Sequence, residues 1–177
     1  MGDAVVVRVE TSSRPSRRGI REVLVLGLGN TLLADDGVGV HVVRHLENDP
    51  DRPSGLSPLD GGTLGFRLLG SLTQSNAVLV VDAAELGEPP GTVRLLDQHA
   101  LADHVSRGGR MSAHEAGLVD LLTLARLEGW APTRLALLGI QPQRIEWDEA
   151  LSAPVSRSVP AACRVVVETV LAWQAAP

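Results

Sequence analysis

The sequence predicts an α/β domain, a three-layer sandwich in which a twisted, mostly parallel sheet carries helices on both faces. Three observations predict it. Apolar runs of strand length alternate along the chain with amphipathic stretches of helical period, the pattern of a sheet built from crossover units. The strand-like runs are apolar throughout rather than alternating, as expected of strands covered on both sides. The chain has 177 residues, 44% hydrophobic and 21% charged, a composition that excludes wholesale disorder and a length that suits one domain.

The elements follow in order. Residues 1–20 contain the polar, basic stretch Ser12 to Gly19 (SSRPSRRG) and read as a flexible extension, leaving 21–177 as the domain. Glu22 to Leu28 (EVLVLGL) reads as the first buried strand. Asp36 to Glu47 places Val38, Val42, Val43 and Leu46 on one helical face. Leu56 to Leu59 is a weak strand running into Asp60-Gly61-Gly62, and Thr63 to Leu72 is a short helix. Ala77 to Val81 (AVLVV) is the clearest strand and ends at Asp82. Gly91 to Leu96 is a further strand, and the polar stretch Asp97 to Arg110 reads as a loop. Ala113 to Leu127 reads as an amphipathic helix whose start carries the S-x-x-E capping signature in Ser112 and Glu115. Arg134 to Ile140 is the next strand, and Val159 to Trp173 the final helix, with Pro160 at an early, tolerated position.

Composition removes several kinds of chemistry. All 16 basic residues are arginine, so neither a Walker A lysine nor a Schiff-base lysine is present. A formal charge of −5 and four aromatic residues (Phe66, Trp130, Trp147, Trp173) argue against a nucleic-acid partner. No apolar stretch has the roughly 18–20 residues needed to span a bilayer, and Asp3 and Arg8 interrupt any export-type apolar core, so no membrane partner and a cytoplasmic location are expected. Gly27-Leu28-Gly29 opens like a dinucleotide fingerprint, but Leu32 occupies its third glycine position. There is no G-x-S-x-G elbow, and Leu118 stands where H-E-x-x-H needs a second histidine. The single cysteine, Cys163, sits in an apolar helix and reads as a buried structural thiol. His41 and His45 read as a solvated helix face, and His99 and His104 as loop residues.

What remains is a set of carboxylates and one histidine at element ends, where open α/β sheets bind ligands. Asp36 follows the first strand, Asp60 the weak second, Asp82 the strongest, and His114 opens the long helix. Two carboxylates and a neutral imidazole form an open three-ligand metal set, and a helix N-terminus favours the neutral imidazole. Plainer roles fit the same residues: Asp36 as an N-cap, Asp82 as a cap of the next turn, Asp60 as a turn residue, His114 as an exposed first-turn side chain.

The string Val25-Leu-Gly-Leu-Gly-Asn-Thr-Leu-Leu-Ala-Asp-Asp-Gly-Val-Gly-Val40 resembles the opening of the nickel-iron hydrogenase maturation endopeptidases. Leu59-Asp-Gly-Gly-Thr63, Val81-Asp-Ala83, Ser112-Ala-His-Glu-Ala-Gly117 and Leu138-Gly-Ile-Gln-Pro142 continue the resemblance in order, over residues 22 to 173. It implies removal of a C-terminal peptide from the large-subunit precursor of a nickel-iron hydrogenase, after nickel insertion. It implies metal contact by Asp36, Asp82 and His114, with nickel supplied by the substrate precursor rather than held as a resident cofactor. Catalytic candidates are Asp36 and Asp60, and Gly61, Gly62 and Thr63 are substrate-binding candidates. A non-catalytic nickel-binding assembly factor, or a hydrolase acting on another protein or amide, are the alternatives.

Overall fold

The computed structural model describes residues 7–10, 20–63, 65–106 and 115–176. Among them six strands form one sheet: β1 (Val7–Glu10), β2 (Val23–Leu28), β3 (Leu56–Gly62), β4 (Ala77–Ala83), β5 (Val93–Asp97) and β6 (Arg134–Ile140), in the spatial order β1-β5-β6-β4-β2-β3. All neighbours run parallel except β5 and β6, which are antiparallel. The helices are α1 (Val38–Glu47), α2 (Leu69–Thr73), α3 (Gln98–Ser106), α4 (Glu115–Leu127) and α5 (Ala153–Ala175). No described helix is long and apolar enough to cross a membrane.

Alternation along the strands splits the core in two. Val23 and Val25 of β2, Leu79 and Val81 of β4, and Leu138 and Ile140 of β6 pack beneath α1 and α5. Leu24 and Leu26, Val78 and Val80, and Leu135 and Leu137 face the other side, with Leu72 of α2 and Leu121, Leu122 and Ala125 of α4. Strands covered on both faces are apolar nearly throughout, which is why β2 and the Ala77–Val81 run of β4 carry no alternation of polarity, and why the buried Asp82 that follows in β4 is an exception.

The crossover from β2 passes through α1 to β3 on one side, and the chain then returns through α2 to β4 on the other side of β2. The topological switch point of the sheet therefore lies at the carboxyl ends of β2 and β4. Gly39, in the first turn of α1, makes this corner tight. A Cβ there would lie 2.1 Å from Val81 O and 2.5 Å from Leu28 O, so only glycine lets α1 settle onto both strand ends.

The structure corrects the sequence reading in four places. Val7–Glu10, inside the segment read as flexible, forms β1 and pairs with the edge of β5; its two β-branched valines favour the extended backbone. The Asp97 to Arg110 loop contains α3, started by the Asp97 carboxylate accepting from the N–H groups of His99 (3.0 Å) and Ala100 (2.9 Å). The last helix begins at Ala153, so Pro154 takes the early position and Pro160 lies inside the helix. The helix after β2 starts at Val38, preceded by a 3-10 turn over Ala34–Gly37 that carries both aspartates.

Candidate functional site at the carboxyl edge of the sheet

Asp35 and Asp36 are both fully buried in the 3-10 turn, yet they face different tasks. Asp35 holds a distant loop. Its Oδ2 accepts from the backbone N–H groups of Gln143 (2.9 Å) and Arg144 (3.1 Å) and from the Ser152 hydroxyl (2.8 Å), and its Oδ1 accepts from Ser152 N–H (2.7 Å). Ser152 stands at the N-cap of α5, so a carboxylate sits at the positive end of that helix. Asp36 is not the N-cap of α1: that residue is Gly37, and Asp36 Oδ2 accepts from Asn30 N–H at 2.8 Å. That bond folds the β2–α1 loop back on itself and fixes the carboxylate at the switch point.

Asp82, also fully buried, stands near the end of β4, with its Oδ1 accepting from Ala83 N–H at 2.8 Å. Its neighbours Val81 and Ala83 belong to the core beneath α1 and α5, so alternation turns Asp82 toward the α2 and α4 face. The turn bearing Asp36 packs against β4, the strand that carries Asp82.

His114 lies outside the described residues. The helix it precedes, α4, is described from Glu115 on. The chain leaving α4 is pinned at the amino edge of the sheet, by Trp130 Nε1 donating to Ser75 O (2.8 Å) and Thr133 N to Asn76 O (2.6 Å), just before β4 begins. A 13-residue helix spans about 20 Å and a seven-residue strand about 23 Å. Packed on the Asp82 face with Leu121, Leu122 and Ala125, α4 is long enough to reach the carboxyl edge from that end. Among the described residues alone, no three His, Cys, Asp or Glu side chains form a metal-binding cluster.

Asp60 is one-third exposed and lies on the α1 side of β3. Its Oδ1 accepts from Gly62 N–H (3.0 Å), and its Oδ2 meets Arg44 of α1, with Nε at 3.1 Å and Nη2 at 2.9 Å. The D-G-G string is explained locally. The β2–β3 register breaks between Gly27 and Leu28, which pair with Asp60 and Gly62, so Gly61 is the extra residue of a bulge. Gly62 has φ of 48°, a left-handed conformation that favours glycine. Gly61 is buried in this bulge and Thr63, just beyond, is exposed.

Two buried residues that hold loops at this edge of the sheet carried no role in the sequence reading. Gln141, 6% exposed, accepts through Oε1 from Leu86 N–H (2.7 Å) and donates through Nε2 to Glu85 Oε2 (3.1 Å), tying the loop after β4 to the end of β6. Asp35 is the second, and its only signal was the doubled aspartate. His41 is not the solvated residue expected: its Nε2 is buried, and burial together with the Arg44 charge lowers its pKa. Cys163 is buried as expected, with its thiol directed at Val42 O (3.9 Å) and its pKa pushed up by burial to about 11.

The family model of the hydrogenase maturation proteases matches residues 40–171. The chain belongs to the hydrogenase maturation protease family. This protease is 37% identical over 150 residues to the hydrogenase expression/formation protein HoxM of Azotobacter vinelandii, covering 82% of the chain and 70% of HoxM. It is 34% identical over 147 residues to the hydrogenase 2 maturation protease of Escherichia coli K12, covering 82% of the chain and 88% of that relative. Among solved structures it is similar to the hydrogenase maturating endopeptidase HybD from E. coli, with a TM-score of 0.76 and 32% identity over 85% of this chain and 93% of that one. The maturation protease HybD from Thermococcus kodakarensis gives a TM-score of 0.73 at 27% identity, over 84% of this chain and 98% of that one. The expected α/β fold and the assignment as a peptidase are therefore both met. The family match contains Asp60, Asp82 and His114; Asp36 lies just ahead of it.

Proposed function

We propose that this protease removes the C-terminal peptide from the large-subunit precursor of a nickel-iron hydrogenase, and that Asp36, Asp82 and His114 recognise nickel carried by that precursor. The observation that carries the reading is the full burial of two carboxylates, Asp36 and Asp82, on elements that pack together at the switch point. Burying ionised carboxylates is costly, and a cation is the partner that offsets the cost most directly. Two oxygen donors and an imidazole make an incomplete set, suited to an ion that arrives with ligands of its own. Recognition of this kind delays cleavage until the metal is in place.

Water is the attacking group in this reading. The chain has no lysine, and its single thiol is buried with a raised pKa. Water adds to the scissile carbonyl and the amide nitrogen leaves with a proton, giving a new carboxylate and a free peptide amine. Asp60, with both oxygens already engaged, serves to orient the substrate or the water rather than to store a proton, and the exposed Thr63 beside the Gly61-Gly62 bulge marks where an extended substrate segment lies. Incubation with a nickel-loaded precursor tests the activity. Mass spectrometry is expected to show loss of one C-terminal peptide; an unchanged precursor mass contradicts the proposal and favours a factor that only binds.

A further inference from the structure

The geometry points to Arg44 as the positioning residue that aims the Asp60 carboxylate at the substrate. The inference rests on the reading of Asp60 as a group that meets substrate or water. Arg44 projects from α1 and places two donors, Nε at 3.1 Å and Nη2 at 2.9 Å, on the single oxygen Oδ2. Gly62 N–H holds the other oxygen, Oδ1, at 3.0 Å. The carboxylate is thus gripped at both oxygens by groups on different elements, which fixes both of its torsions. Oδ2 has its two acceptor directions filled, and Oδ1 keeps one. The free acceptor direction is therefore defined by Arg44.

Stability does not account for the pair. The Arg44 side chain is 53% exposed and Asp60 33%, and exposed ion pairs add little to folding. The Asp60–Gly62 turn also closes without the guanidinium. What Arg44 changes is the orientation of a carboxylate at the mouth of the site. The planar guanidinium suits this task because its fork fixes direction as well as charge, which an ammonium does not. One titratable neighbour of Arg44 on its own helix, His41, has a pKa lowered by burial and by the Arg44 charge itself, so at neutral pH it does not compete for Asp60 as a second cation; His45 and Glu47 are the others on α1, and both are exposed.

The test measures kcat and KM for cleavage of a nickel-loaded large-subunit precursor by the intact protease and by Arg44→Ala, Arg44→Lys, Asp60→Asn and the double variant Arg44→Ala/Asp60→Asn. Misplacing a reacting group by about 1 Å costs up to about a hundredfold. Arg44→Ala is accordingly expected to lower kcat at least tenfold with KM little changed, Arg44→Lys to recover part of the loss, and the double variant to be no slower than Asp60→Asn alone. Thermal melting followed by circular dichroism is expected to match wild type for all four. Asp60→Asn slow with Arg44→Ala at the wild-type kcat overturns the role of Arg44 alone. Asp60→Asn at the wild-type rate overturns the reading of Asp60 and the inference with it. Multiplying losses in the double variant also overturn it, because Arg44 then acts through another group.

Discussion

Replacing Asp35 with alanine separates the two adjacent aspartates by their physical roles. Asp35 accepts four hydrogen bonds from Gln143, Arg144 and Ser152 and joins the β2–α1 turn to the start of α5. The two bonds from Ser152 are buried, and the two from Gln143 and Arg144 are partly buried. Hydrogen bonds to a charged group contribute about 1.5–3 kcal/mol each, and a buried donor left without an acceptor loses the full desolvation cost. Water can reach the Gln143 and Arg144 N–H groups once the carboxylate is gone, so the two Ser152 donors dominate. Removing an ionised group from the interior returns part of the loss. Asp35→Ala is therefore expected to destabilise the protein by roughly 3 kcal/mol. Ser152→Ala, which removes only the hydroxyl bond, is expected to cost about 1 kcal/mol. Urea unfolding followed by circular dichroism gives both values, with an unchanged slope if only stability has altered. A loss under about 0.5 kcal/mol for Asp35→Ala, the range of ordinary surface substitutions, refutes the assignment of Asp35 as the clamp of the 143–152 loop.

Other substitutions test other parts of the structure. Gly39→Ala forces a Cβ against Val81 O and Leu28 O, and overpacking against backbone is expected to cost at least about 2 kcal/mol, read as a fall in melting temperature; a wild-type melt contradicts the tight corner at the switch point. Cys163, with its thiol pushed up to about 11, is expected to resist alkylation by iodoacetamide at pH 8 in the folded protein and to react once urea unfolds it. His41 has a folded-state pKa below its ordinary value of 6.5, so the unfolded chain binds its proton first. Its contribution makes stability fall as pH drops through 6.5 and level off below the folded-state pKa, and His41→Gln is expected to flatten that part of a urea-midpoint profile against pH. His114→Ala is expected to abolish precursor cleavage with an unchanged circular dichroism spectrum, whereas the exposed His45→Ala is expected to cleave at the wild-type rate in the same assay.

The central strands were legible because their constraint is severe. A strand covered on both faces tolerates no polar side chain, so β2, β4 and β6 announced themselves as unbroken apolar runs, and Asp82 stood out as the first residue to break one. Elements held by one-sided or purely local terms were harder to read. β1 is four residues that, among the described residues, pair with the β5 edge alone, a pairing invisible in the local sequence. α3 is polar on its exposed side, and its start depends on the Asp97 cap rather than on an apolar stripe. The site divided along the same line. Asp36, Asp60 and Asp82 were singled out because each follows an apolar run, and strand ends are where this architecture binds ligands; in the fold Asp60 and Asp82 are the late residues of β3 and β4 themselves. Arg44 was missed because a charged residue on a helix gives no sign of which carboxylate it meets until β3 is laid beside α1. Asp35 and Asp36 were indistinguishable in sequence, since only the fold shows that one reaches across to Ser152 and the other turns back to Asn30.

Cleavage compared between nickel-loaded and nickel-free precursor tests recognition of substrate-borne nickel most directly. The wild-type protease, chelator-treated and returned to metal-free buffer, is mixed with each form, in parallel with Asp36→Asn, Asp82→Asn and His114→Ala, and the precursor mass is followed over time. The wild-type protease is expected to shorten the nickel-loaded form and leave the nickel-free form intact, and each variant is expected to lose cleavage of the loaded form while keeping its fold. Equal cleavage of both forms by the wild-type protease, or wild-type rates in any of the three variants, contradicts recognition of nickel by these side chains.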